Sequence, residues 1–97
     1  MNVVHHDRGV YYLLQHENQY IFNVASGRRG VGFSISIALN KERKTTLLER
    51  GQSYLEELAE HVHQNQVTYL QNQIDQDKEK AMHAAIQQWL KDNNIRD

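Results

Sequence analysis

A chain of 97 residues, 39% of them hydrophobic, has room for one core and no second domain. The absence of cysteine excludes disulfides and thiolate metal sites and points to a reducing, cytoplasmic setting. A formal net charge of −1 is far from the balance of a dedicated nucleic-acid binder, and no basic-then-apolar leader or apolar run of about 18 residues suggests export or a membrane span.

Residues 1–8 hold His5, His6, Asp7 and Arg8 without periodicity and are expected to form a loose N-terminus. Aromatic and β-branched residues then dominate Val10 to His16 and Gln19 to Val24, separated by Glu17-Asn18, where Asn18 can take the positive φ of a tight hairpin. A two-residue turn pairs Gln15 with Tyr20, Leu13 with Phe22 and Tyr11 with Val24. Ala25 to Gly30 connects to a third strand, Val31 to Leu39, in which large apolar residues alternate with small ones. Pairing Val24 with Val31 sets Phe22 opposite Phe33 and Tyr20 opposite Ile35, so one apolar face crosses all three strands.

From Asn40, a good capping residue, the period changes to that of a helix, with Leu48, Gly51, Leu55, Leu58, Ala59 and Val62 on one stripe. The stripe keeps its phase through Gly51, which predicts a continuous helix over 41–64, although Ser53-Tyr54-Leu55-Glu56 has capping-box form. Val67, Leu70 and Ile74 lie on a rotated stripe, so the chain is expected to change direction after Gln64. Asp75 or Asp77 then starts a last helix, carrying Met82, Ala85, Ile86, Trp89 and Leu90 on one face and ending near Asn93. The expected fold is therefore α+β: a three-stranded antiparallel β-meander at 10–39 followed by two or three helices at 41–93, in the order β-β-β-α-(α)-α, within a single domain.

Chemistry is less legible. The loop from Gly27 to Gly32 carries Arg28 and Arg29 and could hold an anion, with Lys41, Arg43 and Lys44 as a second basic patch. The two patches stand at opposite ends of the third strand, some 30 Å apart, and so do not form one nucleic-acid groove. His61 and His63 are two apart on a helix and point away from each other, a poor spacing for a metal site. No nucleophile elbow or paired-carboxylate pattern nominates a catalytic residue, and no cofactor motif is present; an enzyme would need a pocket at the sheet–helix junction near His16 and His61.

The second face of the sheet is the stronger signal. It presents Tyr12, Leu14 and Ile21 beside Ser34, Ser36 and Ala38, an apolar surface flanked by open strand edges. Either the last helix covers this face or another chain does. The sequence reading favours the second: a small protein-binding or regulatory module, a homodimer or bound to another protein through Tyr12, Leu14 and Ile21. Binding of nucleic acid or a phosphorylated ligand through Arg28, Arg29, Lys41, Arg43 and Lys44 is the alternative.

Overall fold

The computed structural model describes residues 1–7, 10–26 and 33–93. Four strands, β1 (Asn2–Asp7), β2 (Tyr11–His16), β3 (Gln19–Ser26) and β4 (Phe33–Ala38), form one antiparallel sheet in chain order. The helices α1 (Lys41–Arg50), α2 (Gln52–Gln64), α3 (Gln66–Leu70) and α4 (Gln76–Asp92) follow. The class is α+β, with one strand more than the periodicity predicts.

That extra strand replaces the expected loose N-terminus. β1 pairs with β2 from Asn2↔Gln15 to Asp7↔Tyr11, and a bulge between Val3 and His5 interrupts the register. The bulge leaves Val4 46% exposed and breaks the alternation by which a strand is recognised. A segment of this kind is stabilised by its partner more than by its own pattern.

The β2–β3 hairpin has the register that its two-residue turn imposes, with Leu13 opposite Phe22 and Tyr11 opposite Val24. Positive φ falls on Glu17, at 55°, and not on Asn18. The β3–β4 register departs by four residues from expectation. Val24 faces Ile35 in place of Val31, and Phe22 faces Ile37 in place of Phe33. β3 continues to Ser26 and β4 begins at Phe33, so the connection moves two residues along the chain and Ile35 and Ile37 stand over Val24 and Phe22. An even shift keeps every side chain on its face, which is why the core survives the change.

Asn40 caps α1 as its residue type predicts, its side chain accepting from the Arg43 N–H at 2.8 Å. The continuous helix does not form. Gly51, at φ 64° and ψ −136°, separates α1 from α2, and Ser53 makes no cap: its hydroxyl donates to the Arg50 carbonyl. The chain turns again at Asn65, and Asp75 caps α4 by accepting from the Lys78 N–H at 2.8 Å.

Each face of the sheet has its own core. Tyr11, Leu13, Phe22, Val24, Ile35, Ile37 and Leu39 pack against Leu47, Leu55, Leu58, Val62 and Tyr69 from the first three helices. On the other face, Leu14 and Ile21 pack against Met82 and Ile86 of α4, with Val3, Tyr12, Ile74, Ala85 and Leu90 around them. Leu14 and Ile21 are both 0% exposed, so the surface proposed for association is interior, and Tyr12 sits half-buried against Trp89. The amphipathic stripe of α4 needs an apolar partner, and its own sheet supplies one. Helix α4 also lies along β1, and the outer edge of β4 is engaged at Ser36: its N–H donates to the Gln73 side chain and its carbonyl accepts from the Ile74 N–H.

Candidate functional site

Where β4 ends and the chain enters α1, a cleft of about 310 Å³ opens against α2 and α3. Ile37 and Ala38 form its apolar part, while Asn40, Asn65, Thr68 and Asn72 contribute neutral polar groups. Arg43, His61 and Tyr69 line both this cleft and a smaller neighbour of about 210 Å³ that also includes Tyr54, Glu57 and Leu58.

These three side chains come from three helices, each held by a different device. The Asn40 cap fixes the first turn of α1 and with it the backbone of Arg43. His61 lies in the last turn of α2, whose other side is buried through Leu55, Leu58 and Val62. Tyr69 is the buried residue of α3, 5% exposed, so its ring is anchored in the first core while its hydroxyl reaches the cleft.

The hydroxyl is the junction of the site. Tyr69 Oη accepts from Arg43 Nη2 at 3.0 Å and lies 2.7 Å from His61 Nδ1. The guanidinium also stands over the Tyr69 ring, 5.3 Å from its centroid, and the His61 ring meets Tyr69 edge-on at 5.6 Å. Among the described residues, no carboxylate comes within 4.0 Å of the Arg43 guanidinium. Glu57, which lines the smaller cleft, is paired with Arg50. Burial pushes the nearby Tyr54 hydroxyl up from its usual 10.0, with Arg43 opposing that shift. The arrangement places a guanidinium without a carboxylate partner, an imidazole, a phenol and the Thr68 hydroxyl around one concavity. All of them can donate hydrogen bonds, which suits an oxyanion of a carboxylate or phosphate.

Of the anion-binding residues nominated from sequence, only Arg43 enters this site. Lys44 is directed elsewhere: its Nζ donates to the Asn18 carbonyl at 2.8 Å and lies over the Tyr20 ring. Lys41 is exposed on the first turn of α1, and Arg28 and Arg29 lie outside the described residues. The imagined pocket at the sheet–helix junction contains His61 but not His16. Among the described residues, no three His, Cys, Asp or Glu side chains gather in a way that could hold a metal ion.

Tyr69 and the polar wall of α3 were missed. The apolar stripe expected there is inverted: Val67 is 71% exposed and Leu70 is also exposed, while Tyr69 is buried. The available signal was the spacing of Asn65, Thr68 and Asn72, which places three neutral polar groups on one helical side.

Comparison of the chain with known protein families, with curated proteins and with solved structures found no match in any of the three. The site's chemistry therefore rests on its own geometry.

Proposed function

We propose that this protein is a small binding module that holds a ligand through a phosphate or carboxylate group seated in the Arg43 cleft. One observation supports this reading above others: Arg43, Tyr69 and His61 converge on a concavity with no carboxylate on the guanidinium among the described residues. Its volume of about 310 Å³ is at the lower end of what small-molecule sites occupy. The polar wall from Asn65, Thr68 and Asn72 fits a ligand body that is uncharged and rich in hydrogen-bonding groups. No residue here is assigned a catalytic role.

Self-association through Tyr12, Leu14 and Ile21 loses its physical basis once α4 occupies that face. A nucleic-acid groove draws less support, since Arg43 enters the cleft while Lys44 Nζ is held at the Asn18 carbonyl.

The test is ligand-induced stabilisation with inorganic phosphate, at an ionic strength held constant with sodium chloride. A ligand at ten times its Kd stabilises the folded state by about 1.4 kcal/mol, readable as a rise in Tm. Arg43→Ala is expected to weaken the interaction by about 1.5 to 3 kcal/mol and so remove most of that rise. Equal rises in wild type and variant, or none in either, would sink the reading.

A further inference from the structure

The chain of contacts from Arg43 through Tyr69 to His61 has one proton too few to serve every neighbour. Tyr69 Oη already accepts from Arg43, and a phenol has a single proton to donate. In the neutral tautomer that carries its proton on Nε2, Nδ1 accepts, the phenol proton is engaged by His61 across 2.7 Å and none is left for a guest in the cleft. Once the imidazole is protonated, Nδ1 becomes the donor, the bond reverses direction, and the Tyr69 O–H is released towards the cleft.

We propose that the cleft takes up its oxyanion together with one proton, held on His61, and that Tyr69 is the relay that turns its hydroxyl from His61 to the ligand. This rests on the reading of the cleft as an anion site. The charges around His61 act in the same sense. Arg43 faces it from α1, Tyr69 from α3, and Tyr54 and Glu57 from α2 itself, while β4 supplies only Ile37 and Ala38. Arg43 has no carboxylate partner among the described residues, and Glu57 is paired with Arg50. An oxyanion lying between guanidinium and imidazole favours a proton on the imidazole.

Sulfate is the probe, because its own charge is constant between pH 5 and 8.5. Its affinity is measured by two-dimensional NMR at fixed ionic strength, with each variant's amide spectrum confirming the fold. In the wild type the Kd is expected to rise by up to roughly tenfold per pH unit above the range where imidazoles lose their proton. His61→Gln flattens that profile, and Tyr69→Phe weakens binding mainly at low pH. A flat wild-type profile, with binding still lost in Arg43→Ala, overturns the proton linkage and leaves the anion site standing. A pH dependence that survives His61→Gln also overturns it, since the proton then belongs elsewhere. Absence of sulfate binding at every pH removes both the linkage and the anion site.

Discussion

Tyr11 shows how one side chain can serve the core and still be chemically uncomfortable there. Its ring packs on Phe22 at 5.3 Å and beside His5 at 5.8 Å, yet its hydroxyl and His5 Nε2 are buried without a hydrogen-bond partner among the described residues. Burial pushes the Tyr11 hydroxyl up from its usual 10.0, and the Asp7 and Glu56 carboxylates push it further the same way. In the unfolded chain the phenol titrates near 10, so it loses its proton before the folded form does. Stability is therefore complete below that pH and falls as pH rises through the folded value, with Tyr54 acting in the same sense. Tyr11→Phe is expected to change stability at pH 7 by no more than about 1 kcal/mol and to reduce the loss between pH 9 and 11. Urea unfolding at both ends of that range checks it, and superimposable alkaline profiles would assign the loss to other groups. Asn23 is the contrasting case. It is buried on the second face and satisfied, donating to Ser34 Oγ at 2.9 Å and Ser36 Oγ at 2.8 Å. The small residues of β4 are thus hydrogen-bond partners for Asn23 as well as spacers.

Among the elements, the break between α1 and α2 separates local pattern from tertiary outcome most sharply. The hydrophobic stripe passes through Gly51 without changing phase, and a continuous helix would satisfy it. The chain breaks because Gly51 takes a φ of +64° with ψ −136°, a backbone state that side-chain-bearing residues avoid. A Cβ at this position would meet nothing within 4 Å, so the cost of a substitution is conformational and not steric. Gly51→Ala is expected to lower stability by about 1 to 3 kcal/mol. In a continuous helix the same change would raise it by up to about 1 kcal/mol, so the sign of the shift in the urea midpoint decides between them. Helix α4 gives the complementary lesson. Its cap and stripe predict its existence and its limits, but which apolar surface it meets depends on where the turn after α3 delivers it.

For the molecule as a whole, the consequence is a sheet covered on both faces among the described residues, with α1 to α3 on one side and α4 on the other. Ile21→Lys places a charge in the second core and is expected to unfold the chain; a folded protein with only a changed assembly state would contradict the packing. Removing residues from Asp75 onward uncovers Leu14 and Ile21 and is expected to produce self-association, which light scattering coupled to size exclusion detects. None of the described helices is long and apolar enough to cross a membrane. The amino-acid order by itself determined the α+β class, the β2–β3 register and the Asn40 cap, and confined the start of α4 to Asp75 or Asp77. Each of these depends on contacts within a few residues, where periodicity, a two-residue turn or a capping side chain dominates. Only the tertiary structure decided that Asn2–Asp7 is a strand, that β4 shifts by four residues, and that α4 seals the second face. It alone brought Arg43 to Tyr69 across 26 residues of sequence and both to His61. Such meetings depend on how separate hydrophobic faces stack, and local periodicity carries no record of which face will find which.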